Sequence, residues 1–357
     1  MVTSLFAQEK SFPVPQIDFN PEHYICYHTL DPLTIDGNFD EEEWRKAVRT
    51  KYFVDIEGIL KPRPRFWTYV KMLWDADYLY IAAEIQEPHI WATIEERDAP
   101  IFQDNAFEIL IDPDGDTHNY YELEINAFGA FWDLFLVKPY RDGGPAISSW
   151  DIYGIKAEVS MNGTINDPSD IDSGWRIEVA LPWDVLCEAT TMNCPPADGD
   201  FWRVNFARVV WPLEPVGGKY EKYKNRKTGE PVDPLNWVWS AQGLINIHYP
   251  EMWGYVHFSE TKAGEGVSQY ELSESENIKW ALRNIYYQQK DYQLKHKKFT
   301  NKLSDLAINN VKGYPIELST TMNLFESTIK DSTSGETWHI RDDGLIWKTE
   351  VDTTSGK

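Results

Sequence analysis

Between Trp67 and Ser259 apolar residues recur at every second position, in one short run after another. A period of two marks strands with one face on a core and the other turned away from it. Two such runs flank Asp75-Ala76-Asp77 in WTYVKMLWDADYLYIAAEIQ, which predicts a hairpin with Leu79, Ile81, Ala83 and Ile85 facing inward. Residues 106–112 and 120–127 predict a second hairpin, and further runs follow at 132–138, 152–160, 175–182, 202–210 and 254–259. No long helical pattern separates them. The expected fold is therefore all-β, an antiparallel two-sheet β-sandwich of jelly-roll-like form.

The flanks of this region read differently. Pro13, Pro15 and Pro21 punctuate an extended entry, and residues 1–20 are taken as a tail. The start MVTSLFAQ resembles the end of a trimmed export signal, which makes a periplasmic or extracellular protein the expectation. LTIDGNFDEEEW predicts a short strand, a turn at Gly37 and a helix capped by Asp40 with Glu43 in reply. The sandwich is expected over 21–259 and a linker over 260–275. After it, 276–357 should form a helix and a hairpin packed on the sandwich. In the helix Ile278, Leu282, Ile285, Gln289 and Tyr292 recur at spacings of three and four, and Asp343-Gly344 marks the hairpin.

Charge and cysteines narrow the partners. Among 357 residues, 34 are Lys or Arg and 57 are Asp or Glu, a formal charge of −23. Phosphate backbones and anionic lipid surfaces are repelled by such a chain, so nucleic acid is not an expected partner. No run of apolar residues is long enough for a transmembrane helix. Aromatics make up 14% of the chain, with 16 Trp; filling the core of a β-rich domain accounts for most of them, and extra rings at a surface would suit stacking on flat ligands, sugar rings included. Cys26, Cys187 and Cys194 have neither metal nor CxxC spacing. A Cys187–Cys194 disulfide fits the spacing, but the odd count favours buried free thiols.

The second hairpin carries the chemistry. Pairing Glu108 with Glu124 sets Ala106 opposite Asn126 and Leu110 opposite Glu122. Glu108, Glu122, Glu124 and Asn126 then share one face, while Phe107, Ile109, Ile111, Tyr121, Leu123 and Ile125 line the core. Alternation alone makes the polar face a solvated outer surface. A row of fixed acceptors and amides also suits recognition of hydroxyl-rich ligands. Opposed carboxylates roughly 5 Å apart would equally match a retaining glycosidase pair, Glu108 with Glu124. In the turn, Asp112, Asp114 and Asp116 alternate like early calcium ligands, with Asn119 or Glu122 able to complete an oxygen shell; the frame is not that of an EF-hand. His248 and Met252 form a pair of the kind that ligates haem. Nucleotide-loop and common hydrolase motifs are absent from the sequence.

The order of LTIDGNFDEEEW, VKMLWDADYLYIAAEI, RDAPIFQDNAFEILIDPDGD, YYELEINAFG, GWRIEVALPW, WRVNFARV and WSAQGLINIHYPEMWGYVHF resembles the family 9 carbohydrate-binding modules, from about Leu33 to Ser259. It is most similar to long bacterial members with a C-terminal helical segment. The resemblance implies a calcium-containing antiparallel sandwich that holds the ends of sugar chains between two aromatic rings, without catalysis, and is often joined to polysaccharide-degrading enzymes. It places the family's glutamate on Glu108 and its asparagine on Asn126. The two stacking tryptophans fall on Phe102 and on Trp239 after Asn236, with Trp237 the alternative. Phe102 departs from the family's tryptophan, and Glu124 stands where sugar-binding members carry an arginine. Exchanging a donor for an acceptor changes which hydroxyl patterns fit.

Overall fold

A computed structural model of the chain describes residues 11–308 and 313–349. The expected signal remnant at 1–8 lies outside them. The described residues divide into two compact units, Gln16–Tyr270 and a second built from the segments before and after it.

In the larger unit the strands are β1 (His23–His28), β2 (Val54–Asp55), β3 (Thr68–Trp74), β4 (Tyr78–Gln86) and β5 (Ala106–Asp112). Next come β6 (Tyr120–Asn126), β7 (Phe131–Leu136), β8 (Ala146–Ile147), β9 (Lys156–Asn162) and β10 (Gly174–Pro182). The remainder are β11 (Phe201–Val210), β12 (Leu213–Val216), β13 (Lys219–Lys222), β14 (Leu235–Val238) and β15 (Gly254–Lys262). One layer runs β8-β7-β6-β5-β11-β15 and the other β3-β4-β10-β9. Between them β1 pairs parallel with β15 and, at Tyr27 and His28, parallel with β3, so the two antiparallel layers are continuous along one edge. Val70, Met72, Ile81, Ile177 and Val179 of one layer meet Phe107, Ile109, Leu123, Ile125 and Phe206 of the other in a single buried core. Facing layers over one core make the expected sandwich.

Four details depart from the sequence reading. Residues 33–36 form no strand, and the helix α1 (Glu42–Lys46) starts after Glu41 without a side-chain cap. The buried carboxylate of Glu178 on β10 organises this segment instead. It accepts the Asp36 and Gly37 amides at 3.0 and 3.1 Å and the Trp44 indole N–H at 2.7 Å. Gly37 (φ +80°) has no room for a side chain, since a Cβ would come within 2.9 Å of the Ser160 amide nitrogen. The run predicted from 152 begins as a strand only at Lys156, because Gly154 turns the chain at φ +82°. Cys187 and Cys194 are disulfide-bonded, contrary to the count-based expectation, and Cys26 stays free in the core. The short helix α2 (Trp183–Leu186) and the turn after it bring the two Cα atoms to 5.4 Å, a return that counting cysteines does not reveal. Lastly, β5 and β6 are buried on both faces. A second cluster including Ile56, Leu110, Tyr120, Leu134, Val238 and Trp253 covers the face expected to be solvated.

In the smaller unit, helix α3 (Glu274–His296) buries Ile278, Leu282, Ile285 and Gln289. The Gln289 amide tolerates burial because it bonds both the N–H and the C=O of Thr300. The hairpin around Asp343-Gly344 is the last pair of a four-strand meander: β16 (Ile316–Thr320), β17 (Phe325–Lys330), β18 (Thr337–Arg341) and β19 (Ile346–Thr349).

Candidate functional site

The β5–β6 ladder pairs Ala106 with Asn126, Glu108 with Glu124 and Leu110 with Glu122, and β7 sets Trp132 opposite Glu124. Side chains two apart share a face, so Glu108, Glu122, Glu124 and Trp132 point the same way. They line a cavity of about 400 Å³. Its walls add Phe102, Leu134, Tyr140, Ala207, Val209 and Asn236, and Ile245–His248 contribute from the chain after β14. All three glutamates are buried.

Burial without a counter-charge dominates the electrostatics. Desolvation pushes Glu108 up to about 7. Glu122 is raised by burial first and then by the charge of Glu108. Glu124 is raised by burial, then by Glu108 and Glu122, against which the Phe102 amide donates to its Oε2 at 2.7 Å. His248 is pushed down to about 3 by burial and the Arg141 charge, so its imidazole is neutral and its Nδ1 lies 3.0 Å from the Tyr120 hydroxyl. Arg141 itself pairs with Glu251 at 2.8 Å and does not line the cavity. Among the described residues the cavity wall holds three acids and no Lys or Arg.

The residues named from sequence divide between the cavity and the framework. Phe102, Glu108, Glu124 and Asn236 are in the wall, and Phe102 leaves 43% of its surface open. Asn126 is fully buried outside it. The amide donates to the Ile94 carbonyl and to Asp104, and accepts the Phe128 and Ala130 amides, so it builds the β6–β7 turn. Trp237 and Trp239 face the main core, on the opposite side of β14 from Asn236 and Val238. Trp239 packs on Phe206 and lies so close to Gly254 that a Cβ there would come within 2.4 Å of its ring. Neither tryptophan offers a face to a ligand in the cavity. Trp132, Tyr140 and Asn246 were not foreseen; for Trp132 the signal was its place opposite Glu124. Its ring lies nearly parallel to Phe102, with centroids 6.3 Å apart. His248 is in the wall but Met252 is buried outside it, so the haem pair does not converge on this cavity.

The acidic turn is a separate feature. Asp112, Asp114 and Asp116 each bring a carboxylate oxygen within 4.8 Å of the others. Asp112 accepts the Gly115 and Thr117 amides, and Asp116 accepts that of His118. Burial, then Asp116 and Asp114, pushes the Asp112 carboxyl well above its ordinary range. Glu122 lines the cavity, and Asn119 is exposed. A second acidic triad, Asp98, Asp133 and Asp151, surrounds the Arg97 guanidinium, which offsets one of its three charges.

Comparison with known proteins bears on the same region. The chain is 29% identical over 89 residues to endo-1,4-beta-xylanase C of Paenibacillus barcinonensis, a match covering 25% of this chain and 7% of that protein. Two solved structures of a family 9 carbohydrate-binding module from Caldicellulosiruptor kristjanssonii are similar, each covering 70% of this chain and 100% of theirs. The complex with cellotriose shares 12% identity at a TM-score of 0.43, and the glucose complex 14% at 0.41. Residues 35–197 match the model of the family described as carbohydrate family 9 binding domain-like. This chain thus contains a family 9 carbohydrate-binding-like domain over residues 35–197.

Proposed function

We propose that this chain binds carbohydrate without transforming it, in the cavity over β5 and β6, as an exported component of polysaccharide breakdown. The carrying observation is a cavity of sugar-accommodating size that joins buried carboxyl groups to the aromatic rings of Phe102, Trp132 and Tyr140. Carboxylates accept from hydroxyls, and the rings cover the C–H faces of a pyranose. Similarity to a xylanase segment supports a setting in glycan degradation. The Cys187–Cys194 disulfide favours an oxidising compartment. Among the described residues no helix is long and apolar enough to cross a membrane. A glycosidase role for Glu108 and Glu124 is the alternative reading, and product analysis separates the two.

Calorimetric titration with glucose, cellotriose and xylo-oligosaccharides, beside product analysis, tests this reading. Binding without release of free sugar is expected. Trp132→Ala should weaken it by about 1–3 kcal/mol, the scale of one buried aromatic contact. Unchanged affinity in that variant would move the binding site elsewhere, and turnover by the wild type would make the protein an enzyme.

We also propose that Asp112, Asp114 and Asp116 hold calcium. Three oxygen donors without His or Cys suit a hard cation, and a cation would offset the burial and the neighbouring Asp116 and Asp114 charges that raise Asp112. A chelator should lower the melting temperature and excess calcium restore it. Asp114→Ala should abolish that response; a wild-type melting curve indifferent to chelator sinks the proposal.

A further inference from the structure

We infer that the cavity selects sugars bearing a protonated amino group over neutral or anionic ones. The inference rests on the carbohydrate reading above and specifies its ligand. Glu108 from β5 and Glu122 and Glu124 from β6 present three carboxyl groups to one space, and no Lys or Arg among the described residues lines it. The other titratable groups in the wall supply no compensating charge. Tyr140 is phenolic with its ionisation disfavoured by burial and by Glu122, and His248 is neutral. Arg141, behind His248, donates to the His248 carbonyl and to Glu251.

The acids are also incompletely satisfied. Oε2 of Glu122, a residue 3% exposed, has no hydrogen-bond partner. Glu124 has the Phe102 amide on one oxygen. A carboxylate group buried at this depth is costly unless a donor reaches it. An ammonium brings three donors and a positive charge in one group.

A bare metal ion fits less well. The aspartate turn and the Arg97 triad each gather three carboxylates with oxygens within 4.8 Å of one another, and the three cavity glutamates do not reach that spacing. The apolar wall of Leu134, Ala207 and Val209 suits the carbon skeleton of a pyranose, and Trp132 adds an aromatic ring to the same wall. Uronic acids would bring a further carboxylate to a wall that already holds three carboxyl groups and no Lys or Arg.

The test uses the full chain in calorimetric titrations near pH 6.5, where an amino-sugar amine is largely protonated. The probes are glucosamine and its β-1,4 dimer, against glucose, cellobiose and N-acetylglucosamine, at low and high salt. The amino sugars should bind at least about tenfold more tightly than the neutral ones, with added salt narrowing the gap. Glu122→Gln should lower glucosamine affinity by about tenfold with its melting temperature at or above the wild-type value. Equal or tighter binding of the neutral sugars overturns this inference and leaves the carbohydrate reading standing. Binding of no sugar at all overturns both.

Discussion

Replacing Glu108 with Gln is expected to stabilise the folded protein at neutral pH, by roughly 3 kcal/mol. The carboxyl ionises near 4.5 when exposed and is pushed up to about 7 by burial in the fold. Below pH 4.5 both states carry the proton and the group has no differential effect. Between 4.5 and 7 the unfolded chain releases its proton while the folded one retains it, so stability falls as pH rises. Above about 7 the loss is complete. Glutamine keeps the shape without the titration, and it removes a charge that raises Glu122 and Glu124 as well. Thermal melts from pH 4 to 8 should therefore converge for variant and wild type at the acid end. At pH 8 they should separate by roughly 5–10 °C, the variant melting higher. A variant no more stable than wild type at pH 8 would mean that the folded protein already compensates the charge. A protein that sacrifices stability to keep three acids in one cavity is using them for something other than folding, which is the stability–function conflict typical of binding sites.

The distinction between local and distant causes decides what the sequence could reveal. The β5–β6 register was legible because period-two alternation and the turn between the strands constrain it, and the observed partners are Glu108 with Glu124 and Leu110 with Glu122. The acidic turn was legible for the same reason, being a pattern within five residues. That the polar face is enclosed was not legible. Its cover comes from Tyr140 and from Ile245–His248; the Tyr120–His248 contact joins positions 128 apart. Alternation says which residues share a face and nothing about what lies over it. Trp132 could have been found by extending the pairing to the next strand, where it falls opposite Glu124. Family position names Trp239, with Trp237 as the alternative, and says nothing of their packing: Trp239 is buried against Phe206 and Gly254, and Trp237 packs on Phe66. Glu178 went unnoticed within GWRIEVALP; its three donors lie more than 130 positions earlier in the chain.

The same logic picks out the ion pair most costly to break. Glu87 follows β4 in one layer and Arg208 lies on β11 in the other, and both are almost fully buried. Arg208 donates to Glu87 at 2.5 Å and to the Thr68 hydroxyl at 3.1 Å, with its guanidinium 5.2 Å from the centre of the Trp237 ring. Burial lowers the Arg208 pKa and the Glu87 charge opposes that shift, so the carboxylate is what keeps a cation tolerable between the layers. Glu87→Ala should therefore cost about 3–5 kcal/mol, since the guanidinium would remain with a hydroxyl and an aromatic face as partners. For a unit of this size that corresponds to a fall of roughly 10–15 °C in melting temperature. Removing both charges, as Glu87→Leu with Arg208→Met, should cost less than Glu87→Ala alone, because no ion is then left in a dry site. Denaturant melts of the single and double variants measure the difference directly. A loss below about 1 kcal/mol for Glu87→Ala would show that water reaches Arg208 and that this ion pair contributes little to holding the layers together.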